Sequence, residues 1–302
     1  MQSAIIGMGE VGCTLYEALQ RAGLSFSYVA DKNLSKRALQ ATKGQPTRTV
    51  SDASSFLPDV DLVLSCVEGE TAAVITRMVS EHGRRGQVLV DFSTASANVK
   101  KQASLLLSLK GIEYVDVAIM GAIALTAEKT SMIAAGIAPN SPSQKAIERL
   151  VAAGLMIKTI ANSQAGDAIS LKLLRSIFTK GLEALTTECL AAAEHLGVRQ
   201  SLYDVLSDVD QTHLPTFLEM LVSTHVVHAA RRKKEVQRAH EQLHDLGLDS
   251  LMLPAVVAVF ERTERLHDRA TTPEPPTAER ALEILTQLAQ QTHPDALSVT
   301  TS

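Results

Sequence analysis

Hydrophobic positions along this chain follow two regimes. Up to about residue 160, short unbroken apolar runs alternate with segments of helical periodicity. Ala4-Ile5-Ile6, Asp61 to Cys66, Val88 to Asp91 and Ile112 to Val117 are runs of that kind. They are what strands buried on both faces of a parallel sheet require. Ser25 to Ala30, Ser131 to Ala135 and Leu155 to Ile160 read as further strands. Between the first two runs, Val11, Leu15, Ala18, Leu19 and Ala22 recur at helical spacing, and Gly23 closes that helix. Such alternation builds a βαβ domain.

Beyond residue 160 the strand pattern stops. Gly166 to His195 is helical without a break, and Gly197 ends it. One long helix is predicted from about Pro215, a favoured first-turn residue, to Asp245. Another is predicted from Ser250 to about His267. Thr271 to Pro276 reads as a linker, and Thr277 caps a last helix. On the first long helix, Leu171, Leu174, Phe178, Leu182, Leu185 and Cys189 share one face, the expected core stripe. Lys172, Ser176, Thr179 and Glu183 form a neighbouring polar stripe, with Arg175 at the edge. A Lys and an Arg one turn apart at a domain junction make a candidate anion site.

The opening strand runs into Gly7, Gly9 and Gly12 with G-x-G-x-x-G spacing, and Asp31 ends the second strand. The first glycine allows the tight turn, the second lets a pyrophosphate approach, and the third lets helix pack on strand. Free N–H groups at the helix start meet phosphates, and the acid grips ribose hydroxyls. Lys32, Asn33, Lys36 and Arg37 follow, a solvated helix start or a patch for a 2′-phosphate. Asp31 opposes that phosphate by repulsion, which favours NAD over NADP. Ligands of doubly wound sheets lie beyond the carboxyl ends of strands, so Cys66 and Val67 should line the cofactor cleft.

Composition narrows the function classes. The chain has 302 residues, 45% of them hydrophobic, enough for a sizeable core. Net charge is -4, from 29 basic and 33 acidic residues, so no basic field favours nucleic acid. Trp is absent and aromatics make up 3%, which argues against base-stacking platforms. Cys13, Cys66 and Cys189 lack metal or disulfide spacing. The first strand begins by Ser3, leaving no expected room for a signal peptide, and no apolar run suits a membrane span. A soluble, reducing, cytoplasmic setting is the expectation.

Several segments together resemble the β-hydroxyacid dehydrogenase family, which includes 3-hydroxyisobutyrate and 6-phosphogluconate dehydrogenases. Gly7-Met8-Gly9-Glu10-Val11-Gly12 is similar to the family's first loop, and Asp91-Phe92-Ser93-Thr94 to its D-x-S-T substrate segment. Gly166 followed by Lys172 resembles its glycine-to-catalytic-lysine spacing. Lys234-Glu235 resembles a later lysine-acid pair near the nicotinamide, within the basic run Arg231 to Lys234. The resemblance implies substrate between two domains, Lys172 as general acid/base, and substrate contacts from Ser93, Met120, Gly121, Arg175 and Ser176. It implies cofactor contacts from Gly7, Met8, Gly9, Glu10, Val11, Asp31, Lys32, Cys66, Val67, Thr94 and Lys234. Two departures stand out. Met120-Gly121-Ala122 replaces the family's S-G-G, and Ser176 replaces its asparagine one turn after the lysine. The stretch Lys172 to Leu185 is similar to a poorly characterised branch with its own C-terminal domain.

A lysine's ordinary pKa of about 10.4 must fall before it can act as a base near neutral pH. Arg175, one turn from Lys172, is the candidate cation for that, and its guanidinium could hold a substrate carboxylate. A rival signal is His240-Glu-Gln-Leu-His244, literally H-E-x-x-H, which could bind zinc, but no third ligand is evident and no metal is expected.

The expected architecture is a Rossmann-like α/β domain with a mostly parallel sheet over 1–163. An all-α substrate and dimerisation domain follows over 164–292, then a disordered tail over 293–302. The expected activity is NAD(P)-dependent oxidoreduction of a small 3-hydroxyacid or sugar-acid-like substrate. An imine reductase and a non-catalytic nucleotide sensor are the alternatives. A homodimer is expected, because the long apolar-striped helices have too few partners within one chain.

Overall fold

The computed structural model describes residues 2–265 and 274–291. Contacts divide the chain into two compact units, Met1–Phe178 and Thr179–Ser302.

In the first unit, β1 (Ser3–Ile6) leads through the glycine turn into α1 (Glu10–Arg21). Then come β2 (Tyr28–Ala30), α2 (Lys36–Thr42), β3 (Arg48–Val50), β4 (Leu62–Ser65), α3 (Ala72–His82) and β5 (Val88–Asp91). Next are α4 (Ala97–Ser108), β6 (Glu113–Ile119), α5 (Ile123–Thr126), β7 (Met132–Ala135), α6 (Pro142–Ala152) and β8 (Ile157–Thr159). The eight strands lie in the order β3-β2-β1-β4-β5-β6-β7-β8. All neighbours are parallel except β6 and β7, so the sheet is mostly parallel, as the sequence suggested. β1, β4 and β5 are buried along their whole length, which is why their sequences are apolar without alternation. One core lies on each side of the sheet. Leu15, Leu19, Leu64 and Val90 belong to one, and Val63, Leu89, Val79 and Leu107 to the other.

Boundaries moved where apolar residues serve packing rather than pairing. The second strand begins at Tyr28, not Ser25, because Leu24 and Phe26 are buried in the core beneath the helix-to-strand link. β3 escaped notice because Arg-Thr-Val at a sheet edge is largely exposed and carries no apolar signal. β6 runs on to Ile119, where its antiparallel partner β7 extends the pairing.

The helix α7 (Asp167–His195) begins in the first unit and ends in the second. The second unit continues with α8 (Arg199–Val205), α9 (Ser207–Asp210), α10 (Leu214–Asp245), α11 (Met252–Glu264) and α12 (Ala278–Gln291). Thr277 caps α12 as expected, its hydroxyl accepting from the Arg280 N–H at 3.3 Å. Glu188 accepts the N–H groups of Leu251 and Met252, so one carboxylate on α7 caps α11. His225 on α10 reaches Thr263 on α11 at 2.9 Å. The expected linker at 271–273, the end of the helix at His267, and the tail at 293–302 lie outside the described residues. No described helix is long and apolar enough to cross a membrane.

One expectation fails clearly. Leu171, Leu174, Phe178, Leu182, Leu185 and Cys189, read as a core stripe, are all exposed. The opposite face is apolar too, with Leu173 and Ile177 open to solvent. Periodicity locates an apolar face but says nothing of whether the same chain covers it.

Candidate active site

The carboxyl ends of β1, β2 and β4 open onto a cleft of about 570 Å³. Gly7, Gly9, Asp31, Lys32, Asn33, Cys66, Val67 and Glu68 all line it. The volume lies in the range of small-molecule sites, and the place is where doubly wound sheets bind ligands. The glycines explain the opening. A Cβ on Gly12 would sit 1.9 Å from the Gly7 carbonyl oxygen, so this position admits no side chain where α1 meets the turn. A Cβ on Gly9 would meet nothing within 4 Å, because Gly9 faces open space. No side chain caps α1 at Gly9, which leaves the first N–H groups of the helix for an anion. A dinucleotide pyrophosphate fits that arrangement.

Asp31 does more than face the cleft. Its carboxylate accepts the Met8 N–H at 2.6 Å and the Asn33 N–H at 2.8 Å, so it holds the glycine turn against the end of β2. Met8 itself is buried in the core, while Glu10 is exposed and Val11 partly buried. Arg37, part of the candidate 2′-phosphate patch, is engaged elsewhere. Its guanidinium donates to both oxygens of Glu17, at 3.2 and 2.8 Å, and to Thr14 at 3.1 Å. Burial pushes the Cys66 thiol well above its ordinary pKa, with Asp91 adding to the effect, so a thiolate is disfavoured there.

The second constellation lies at the ends of β5 and β6. Asp91, buried, accepts from the backbone N–H and the hydroxyl of Ser93, both at 2.9 Å, and from the Tyr114 hydroxyl at 2.5 Å. The Ser93 hydroxyl, expected to meet substrate, is therefore turned inward, whereas Thr94 is exposed. Burial and the Asp91 charge raise the Tyr114 pKa, which keeps its hydroxyl a donor. Lys100 on α4 is completely buried. Its ammonium stands 2.7 Å from Asp116 Oδ1 and 3.5 Å from Asp91 Oδ2, and donates to the Asp91 carbonyl at 3.2 Å.

Asp116 links this network to α7. Its second oxygen accepts the N–H groups of Gly166 and Ile169, at 3.0 and 3.1 Å, capping the first turn. Gly166 has φ +96°, and a Cβ there would lie 2.8 Å from the Ala97 carbonyl oxygen. Glycine thus lets α7 start hard against α4. Lys172 follows on α7, half-buried. Burial lowers its pKa first, and the positive charge of Lys100 lowers it further. Lys100 is thus a cation acting on Lys172 beside the candidate Arg175 that the sequence offered. Arg175 is exposed and Ser176 partly buried on the same helix.

Sequence reading missed Lys100 because it occupies a polar-looking helix. Its signal lay in the strands. Asp91 and Asp116 interrupt runs that are otherwise apolar, and a buried carboxylate needs a cation or donors. Met120 packs with Ala118, Ala135 and Ala168, and Gly121 is exposed. Lys234 is exposed on α10 in the second unit, beside Arg231 and Lys233, which pair with Glu235 and Glu264. His240 and His244 are on α10, and no group of three His, Cys, Asp or Glu among the described residues converges on a metal position.

Sheet order, open glycine turn and uncapped helix define an NAD(P)-binding fold of the oxidoreductase type. Residues 2–161 match the NAD-binding domain of 6-phosphogluconate dehydrogenase, and the chain belongs to that family. Residues 193–263 match a domain of unknown function (DUF1932). An uncharacterized 28.5 kDa protein of Methanothermus fervidus is 25% identical over 264 residues, 87% of this chain and 99% of that protein. A solved conserved protein of unknown function, described as structurally similar to 3-hydroxyacid dehydrogenases, is also 25% identical. It aligns with TM-score 0.59 over 90% of this chain and 100% of its own. An imine reductase variant from Myxococcus stipitatus, solved with NAD+, shares the fold at TM-score 0.74 and 17% identity, over 95% of this chain and 99% of that one.

Proposed function

We propose that the protein is an NAD(P)-dependent dehydrogenase acting on a small 3-hydroxyacid or sugar-acid-like substrate. Lys172 is its general acid/base. The observation that carries this reading is the setting of Lys172. It is half-buried just beyond the capped start of α7, with its pKa lowered by burial and by Lys100. A lysine so placed can accept the hydroxyl proton as the alcohol is oxidised and return it in the reverse direction. The nicotinamide, when bound, supplies or accepts the hydride.

The other residues orient and bind. The uncapped N–H groups after Gly9 receive the pyrophosphate, and Asp31 accepts from the ribose hydroxyls with the lone pairs its backbone donors leave open. Cys66 and Val67 wall the cleft, and Thr94 presents its side chain from the D-x-S-T loop. Arg175 and Ser176, on α7 with Lys172, meet the substrate's carboxylate end. Asp31 and the engagement of Arg37 by Glu17 favour NAD over NADP. A homodimer belongs to the same reading, because a helix apolar on both faces requires cover and α7 leaves Leu174 and Ile177 open within one chain.

Imine reduction is the second reading, favoured by fold neighbours that carry that name. A retained Lys172 favours a C–O substrate over it. The test is a screen of 3-hydroxyacids, sugar acids and cyclic imines against NAD and NADP in separate wells. Turnover of a hydroxyacid supports the dehydrogenase. Turnover of imines alone transfers the assignment to C=N reduction, and cofactor binding without any turnover supports a nucleotide sensor.

A further inference from the structure

A buried lysine between two buried aspartates is costly to assemble unless its placement serves a purpose or the geometry repays it. Here the group sits where two functional segments meet. Asp91 orients the loop that begins at Ser93. Asp116 holds the first turn of α7 through the Gly166 and Ile169 N–H groups. Lys100 bridges the two acids, at 3.5 and 2.7 Å.

We propose that Lys100 is a positioning residue for the acid/base: buried between Asp91 and Asp116, it ties the Ser93 loop to the first turn of α7 and fixes a positive charge beside the helix that carries Lys172. This rests on the dehydrogenase reading for its use in catalysis, but not for its test. The charge acts through low-dielectric surroundings, where like charges disfavour each other strongly. The lowered pKa of Lys172 agrees with that placement. The other titratable groups on the neighbouring stretches are Asp91 on β5, Glu113, Tyr114 and Asp116 on β6, Lys101 on α4, and Asp167 and Arg175 on the first three turns of α7. Of these, Tyr114 stays protonated, and Lys100 is the charged group that lowers the Lys172 pKa beyond the effect of burial.

The test is a titration of Lys172 in the full chain, without cofactor or substrate. Lysines are reductively methylated with 13C and followed by NMR, and Lys172→Ala identifies the resonance. Two variants pull in opposite directions. Lys100→Met removes the cation and leaves Asp116 as the acceptor for the α7 N–H groups. Its Lys172 should titrate at higher pH than in the wild type, closer to the ordinary lysine value of about 10.4. Asp116→Asn alone keeps the cation but removes one compensating charge, and Lys172 should titrate at lower pH than in the wild type. A purely structural role would not reverse the sign between the two. Unchanged titration in both folded variants, or a shift of both in the same direction, overturns the proposal. Loss of the dehydrogenase reading would appear separately, as full turnover by Lys172→Ala.

Discussion

Leu64 in β4 and Leu174 in α7 are the same side chain in opposite surroundings. Leu64 is completely buried in the sheet unit, while Leu174 is 61% exposed. The difference runs through both regions. Every residue of β1, β4 and β5 is buried, and their sequences are apolar because helices cover both faces of the sheet. α7 buries Ala168, Ile169 and Ala193 but leaves many of its apolar side chains open, with Ile177 71% exposed. The sheet unit is closed by its own chain. The long helix carries apolar side chains that are exposed in the single chain, and the proposed second copy is the cover that the reading assigns to them.

That contrast can be broken at its strongest point first. Leu64→Ala should destabilise the sheet unit by about 2–5 kcal/mol, the usual cost of emptying a core leucine site, read from urea or thermal unfolding. Gly12→Ala comes next, because its new Cβ would collide with the Gly7 carbonyl at 1.9 Å. A loss of about 1–3 kcal/mol or more is expected, and with it cofactor binding. Gly9→Ala sharpens the point within the same turn. Stability should stay within about 0.5 kcal/mol, as for other surface changes, while calorimetry shows weaker cofactor binding. Leu174→Ser probes the other region. Folding of the monomer should change by no more than about 0.5 kcal/mol, but dimer dissociation in sedimentation should occur at roughly tenfold higher concentration, equivalent to about 1.4 kcal/mol. The smallest effect concerns the cofactor. Glu17→Ala frees the Arg37 guanidinium, now held at 2.8 Å, and should raise the use of NADP relative to NAD.

The two regions also differed in how far their sequences disclosed them. Uninterrupted apolar runs located β1, β4 and β5, and glycine spacing located the cofactor turn, because burial and close backbone approach each demand a residue type. Long helices were visible from periodicity, with Asp245 ending α10 as expected. The edge strand β3 was not, since Arg48 and Thr49 are exposed and satisfy no pattern. Neither was the fate of Leu171 and Leu174, because periodicity marks a face and not its cover. In the candidate site, Lys172 was legible only through the family resemblance, which its spacing from Gly166 carries. Lys100 was not, since its partners Asp91 and Asp116 lie on the strands before and after its helix and meet its ammonium only in the fold.

The central claim is that Lys172 is the acid/base of a dehydrogenase. Its lowered pKa has a sign that kinetics can read. Oxidation needs the free amine, so kcat/KM for the alcohol should rise as pH increases through the Lys172 pKa, and the reverse reduction should fall over the same window. The most direct measurement compares wild type with Lys172→Ala on the substrate found in the screen, alongside cofactor affinity for each. The account predicts a fall in kcat of about 10²–10⁴-fold with cofactor affinity unchanged, and loss of that pH-dependent rise. Wild-type turnover retained by Lys172→Ala, with the same pH profile, would contradict it.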